Sequence, residues 1–241
     1  TNHSFLSYSI MKSEIIVPNS LNDIPLHRYQ EFAKIAQKSE GEFVSRKMVS
    51  IFCQIPLMKV AQIKMYSFNE IVGHFNELFS KDTPFQQTFT LEANGKKIEF
   101  GFIPDLEDIT VDEYGDLDSY INDWEQMHRA MAVCYRPIKK RIGDKYLIED
   151  YNGTDEYYRL MEFMPLDIVL GARVFFWNLQ NELVKSTRQS LMAEMEEMVM
   201  PKKRNFKKIG VGTQRFMHLQ KEMLEILKQS ENLEFPKLLH F

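Results

Sequence analysis

The dipeptide Asn94-Gly95 constrains this chain more tightly than any other pair of neighbours. Both residue types accept the positive φ angles of a two-residue type I′ turn, and they stand between two segments of alternating polarity, 87–93 and 96–103. Counting outward from the turn pairs Leu91 with Ile98 and Phe89 with Phe100 on one face, and Glu92 with Lys97 on the other. Turn chemistry, alternation and charge pairing agree on a β-hairpin whose apolar face needs a cover.

The preceding helices are expected to supply it. Pro25 suits a first helical position, and Leu26, Tyr29, Phe32, Ala33 and Ala36 follow at helical spacing. A second segment, 42–54, sets Phe43, Val44, Met48, Ile51 and Phe52 on one side before Pro56 interrupts it. A third opens on Ser67-Phe-Asn-Glu70, a capping-box pattern, and continues through Ile71, Val72, Phe75, Leu78 and Phe79.

Beyond the hairpin, 104–118 is acidic, and Thr110-Val-Asp-Glu113 within it is a further capping box. Trp124, Met127, Met131 and Cys134 predict a helix stopped near Arg136-Pro137. A charged turn over 139–144, a short strand over 146–151 and a turn at Asn152-Gly153 follow. Pro165 opens a long helix towards Met200, densely apolar in its first half; Pro201 ends it, and Thr213 can cap a final helix carrying Phe216, Leu219, Met223, Ile226 and Leu227. The expected fold is α+β and predominantly helical, with helices packed around a β-hairpin or small antiparallel sheet. It divides into an N-terminal extension (1–20), of which 1–10 carries little structural weight, a main domain (21–185), and a helical arm with a basic loop and an apolar tail (186–241).

Composition bounds the function. With 44% hydrophobic and 27% charged residues in 241, the chain can bury a core without disulfides or metals. A net charge of −4 and a pI near 5.9 disfavour a surface that binds nucleic acid or anionic lipid over its whole extent. Cys53 and Cys134 sit in apolar helical patterns and read as reduced core thiols. Residues 1–9 lack the features of a secretory signal, and the best apolar run, 168–179, is broken by Arg173 and Asn178, so no membrane contact is expected. The motifs of serine hydrolases, zinc proteases, thiol redox sites and nucleotide-binding loops are missing, and the six histidines stand at no ligand spacing. A non-enzyme without cofactor or metal is expected. The competing enzyme reading would use acids of 105–118 with His128 as a proton-transfer group.

Contacts are therefore the expected chemistry. Asp105, Asp108, Asp112, Asp116 and Asp118 offer an acidic docking surface for a basic partner, alongside the plainer reading of helix capping and solvation. Lys202, Lys203, Arg204, Lys207 and Lys208 surround Phe206, a composition that suits either a solvated turn or a local nucleic-acid contact. Met195 and Met198, with Phe216, Met223 and the terminal Phe241, give adaptable apolar surface for a partner or for mutual packing.

Several strings carry a resemblance: Phe100-Gly-Phe-Ile-Pro-Asp-Leu106, Ile109-Thr-Val-Asp-Glu-Tyr-Gly-Asp-Leu-Asp118, Trp124 through Ile138 with its Ala-Val-Cys-Tyr-Arg-Pro segment, and Pro165-Leu with Phe175-Phe-Trp-Asn-Leu179. Their order resembles morphogenesis proteins of tailed bacteriophages, particularly tail-assembly-chaperone-like proteins, over residues 20–185. Asp112 stands where that pattern has glycine before Glu-Tyr. The resemblance implies a role in ordering or shielding phage structural proteins in the cytoplasm of the infected bacterium. A head-to-tail connector or tail ring protein retained in the virion is the alternative, and a homo-oligomer or ring suits either. If the 202–208 loop touches DNA, neutralising its lysines should weaken binding and flatten the salt dependence. Binding curves identical to wild type across salt would leave the solvated turn.

Overall fold

The computed structural model describes residues 6–10, 13–93 and 95–199. The fold is α+β and predominantly helical, with a small four-stranded antiparallel sheet. Strands β1 (Leu6–Ile10) and β2 (Ser13–Val17) pair antiparallel, Leu6 opposite Val17. This corrects the expected N-terminal extension. Ile15 and Val17 are buried in the core, because alternation along β2 sends them inward while Ile16 stays 57% exposed.

Helices α1 (Leu26–Ala36), α2 (Glu42–Phe52), the short α3 (Leu57–Val60) and α4 (Met65–Ser80) form the first layer. Their inward stripes interlock through rings, Phe52 meeting Phe32 at 5.2 Å and Phe75 at 5.3 Å; Tyr29 of α1 also meets Trp124, from the 3₁₀ turn 124–126, at 4.5 Å. Phe43, expected on the inward side of α2, is 47% exposed, and Val49 takes its place. The Ser67–Glu70 pattern is not a cap. The Phe68 N–H already bonds the Lys64 carbonyl at 2.9 Å, which places Ser67 inside the first turn of α4. Pro25 precedes α1 by one residue, in an extended bridge with Pro165. Around it, the N–H groups of Leu26 and His27 donate to the Met164 and Glu162 carbonyls, and that of Leu166 donates to Ile24, each at 2.9 Å.

The sheet has the order β3 (Thr88–Ala93), β4 (Lys96–Phe102), β5 (Tyr135–Ile142), β6 (Lys145–Ile148). The β3–β4 register is the one counted from the turn: Phe89 faces Phe100, Leu91 faces Ile98 and Glu92 faces Lys97. Gly95 has φ +73°, and Asn94 lies outside the described residues. The cover differs from expectation. Phe89 and Phe100 meet Tyr135 and Tyr157 at 5.2 and 5.8 Å, whereas the core of α1, α2 and α4 closes over β2 and the start of the last helix. β5 brings Tyr135 into place, and its hydroxyl donates to the Gln86 carbonyl at 2.7 Å.

Between β4 and β5 run α5 (Val111–Tyr120) and α6 (Met127–Cys134), the latter burying Met127, Met131 and Cys134 completely. α6 ends at Cys134, next to the stop expected at Arg136-Pro137, and those two residues lie inside β5. Pro137 pairs with Phe100, and although it has no N–H to donate, its carbonyl accepts from the Glu149 N–H at 2.9 Å. The expected charged turn at 139–144 is reduced to Gly143-Asp144, because Lys140, Arg141 and Ile142 pair with Leu147, Tyr146 and Lys145. Alternation lets exposed strand positions carry charge.

After α7 (Tyr158–Met161), α8 (Leu166–Val199) is the long helix anticipated from Pro165. The chain divides into two compact units within it, the first through Arg173 and the second from Val174. In the first unit Leu166, Ile168, Val169, Leu170 and Ala172 are buried. In the second, the Phe175 and Phe176 rings meet edge-on at 5.4 Å and Leu191 is exposed. Gly171 permits α8 to touch the segment before β3: a Cβ there would lie 2.5 Å from the Pro84 carbonyl oxygen and 3.2 Å from Phe85 Cα. Alanine would gain up to ~1 kcal/mol of helix propensity but must displace backbone, a strain of about 1–3 kcal/mol. Gly171→Ala is therefore expected to lower the denaturant midpoint, measured by circular dichroism.

Candidate interaction surface

The acidic segment takes its shape from its own side chains. The Asp105 carboxylate accepts from the Glu107 N–H at 2.9 Å, closing a local turn. The Thr110 hydroxyl accepts from the Glu113 N–H at 3.2 Å while a Glu113 oxygen accepts from the Thr110 N–H at 2.7 Å, so the capping box legible in the sequence is formed. The other Glu113 oxygen accepts from Arg136 on β5. Glu113 is 4% exposed and Arg136 8%, so this is a charge pair taken out of water together. The Arg136 guanidinium also lies over the Tyr151 ring at 5.5 Å, and the Tyr151 hydroxyl donates to Asp116.

These contacts fasten one side of α5 to the body and leave the other bare. Glu113 and Leu117, four residues apart, point inward; Val111, Tyr114 and Asp118 lie along the opposite stripe, with Asp112 beside it. Val111 is 88% exposed and Tyr114 62%. Asp105, Asp108, Asp112 and Asp118 are exposed, while Asp116 is half-buried under Tyr151. Of the acidic residues named from sequence, Asp116 is thus engaged with the body while Asp105, Asp108, Asp112 and Asp118 face outward. Val111 and Tyr114 were missed, although a three-residue spacing set against the Glu113–Leu117 spacing was there to find them.

Burial governs the titrating groups. Burial alone would raise the Glu113 pKa, but the Thr110 N–H, the Arg136 guanidinium and the Thr110 hydroxyl together hold it below the ordinary glutamate value. Burial pushes the Cys53 thiol up to about 12 and raises that of Cys134 further, so neither is a thiolate near neutrality. His128 lies on α6, its Nδ1 3.0 Å from Gln30 Nε2 and its ring 5.8 Å from Tyr158; burial, with Arg129, lowers its pKa against the opposing pull of Glu162. Its partners come from α1, α7 and the chain beyond α7 rather than from the acids of 105–118. A polar pocket of about 240 Å³ beside Arg136 has its charges engaged: Lys139 with Asp150 at 3.0 Å, and Glu149 with the Tyr157 hydroxyl at 2.9 Å. Among the described residues, no group of three or more His, Cys, Asp or Glu side chains could hold a metal ion, and no helix is long and apolar enough to cross a membrane.

The remaining contact residues named from sequence, Lys202, Lys203, Arg204, Phe206, Lys207, Lys208, Phe216, Met223 and Phe241, lie outside the described residues, as do the side chains of Met195 and Met198 on α8. No protein-family model, curated protein or solved structure matches the chain. Its own side chains must therefore carry the functional reading.

Glu113 also sets a pH dependence. Its folded-state pKa is depressed, so the stability it contributes is present above the unfolded value near ~4.3 and is lost as pH falls through the folded one. Glu113→Gln leaves Arg136 buried without its counter-charge and should cost on the order of 3 kcal/mol at neutral pH. Urea titrations of both proteins should show the gap narrowing as the pH drops below about 4. A gap constant with pH would mean that the carboxylate charge is not what holds α5.

Proposed function

We propose that this chain is a non-enzymatic assembly protein of a tailed bacteriophage, tail-assembly-chaperone-like, which binds virion structural proteins in the cytoplasm of the infected bacterium. The observation that carries the reading is the outward stripe of α5. Its residues join exposed apolar and aromatic surface to carboxylates on a helix fixed by a cap and a buried ion pair, an arrangement suited to holding a partner. The strings that resemble the phage family supply these parts: the cap and α5 come from 109–118, and Arg136 from the Ala-Val-Cys-Tyr-Arg-Pro segment. The chemistry-bearing side chains point the same way, since both thiols are buried and His128 is occupied in packing.

An amber mutation in a phage encoding this chain should yield particles with absent or malformed tails in electron micrographs. Quantitative mass spectrometry of purified wild-type particles should find the chain absent. Its presence in fixed stoichiometry would replace the chaperone reading with a connector or tail ring component. Normal tails from the amber mutant would reject both.

A further inference from the structure

A second surface complements the outward stripe of α5. The β5–β6 hairpin and the residue pair Ile103-Pro104 border a groove of about 540 Å³. Lys140 faces Leu147 and Ile142 faces Lys145 across the two strands, so these four side chains alternate on one face. Ile142 is 62% exposed and Leu147 59%, two large apolar side chains on a strand pair at the sheet's edge. Asp144 is the carboxylate among the groove's lining residues. The neighbouring charges are engaged, Lys139 by Asp150 and Arg141 by Glu99, whereas Lys140 and Lys145 form no ion pair among the described residues. The groove's shape is held by Tyr146, whose ring lies where a Cβ on Gly101 would be, within 2.5 Å, and whose hydroxyl donates to the Phe102 carbonyl at 2.9 Å.

We infer that the occupant of this groove is α5 of a second copy of the chain. Val111 and Tyr114 supply apolar surface to meet Ile142 and Leu147, and Asp112 and Asp118 supply carboxylates to meet Lys140 and Lys145. Each set has the composition the other lacks. Both face solvent within the copy that carries them, which leaves each open to meet the other on a second molecule. Gly115 adds room: it lies exposed on the α5 stripe, and a Cβ added there would meet nothing within 4 Å, which allows the helix backbone to come close to a partner. Because the two patches differ, each copy offers one donor helix and one acceptor groove. Contacts of this kind close as a two-fold pair made twice or as a ring. Self-association through these patches does not depend on the phage assignment; a virion partner that uses the α5 stripe would have to displace the second copy from it.

Sedimentation velocity and native mass measurement of the full chain test it, with two double variants. Tyr114→Ala with Asp118→Lys disables the helix face, and Lys140→Glu with Lys145→Glu disables the groove. Both leave the Thr110 cap and the Glu113–Arg136 pair intact, and unfolding midpoints check that each variant is folded. Wild type should associate, more weakly in high salt, and each double variant should raise the dissociation constant at least about tenfold. An equimolar mixture of the two variants should form a one-to-one complex, since it retains one intact helix and one intact groove. Gly115→Ala should weaken association while leaving the monomer as stable or more so. A wild type monomeric to near-millimolar concentration overturns the inference. So does association that folded variants do not alter, or a mixture that remains monomeric.

Discussion

Arg136 can lie under the surface because Glu113 meets it there. A guanidinium removed from water without a counter-charge would cost several kcal/mol, and here the compensating carboxylate comes from a helix 23 residues earlier in the chain. Glu113 can serve because the same side chain closes the Thr110 capping box, which fixes the start of α5 and directs one carboxylate oxygen back along the chain and the other towards β5. Once that pair is buried, the orientation of α5 follows. Leu117 must face the body, and Val111, Tyr114 and Asp118 must face away from it.

A second long-range closure sits beside this one. The bridge at Pro25 and Pro165 brings the entry to α1 against the entry to α8, with N–H donors on both strands satisfied by carbonyls of the other. It lets Leu166 and Leu170 enter the same apolar cluster as Phe32, Phe52 and Phe75, so the beginning of the long helix belongs to the body. Arg173, the last residue of that unit, lies over the Trp124 ring at 4.5 Å, and Trp124 in turn packs on Tyr29. Aromatic rings thus connect the first helix, the 3₁₀ turn before α6 and the long helix.

Local signals are legible where the interacting residues are close in sequence. The hairpin register follows from a two-residue turn and a period of two, and the Thr110 box from a three-residue spacing. Ser67–Glu70 has the same spacing and is not a cap, since the core stripe of α4 starts the helix earlier and the serine falls within its first turn. Pro137 correctly marks the end of α6, whereas charge misleads over 139–144. A proline whose carbonyl is paired, and lysines that alternate outward, both fit in a strand. In β2, five residues are too few for composition to distinguish a loose extension from a strand with two core positions.

The sequence by itself determined the elements whose partners lie within a few residues: the hairpin and its register, the capped start of α5, the buried thiols and the long helix after Pro165. Those follow from backbone geometry and side-chain period, which act locally. Only the tertiary structure decided that Glu113 belongs to Arg136, that Tyr135 rather than the first helices covers the hairpin, and which side of α5 remains bare. Each of these turns on which distant group is available to satisfy a buried charge or ring, and such a group is chosen by the closed fold as a whole.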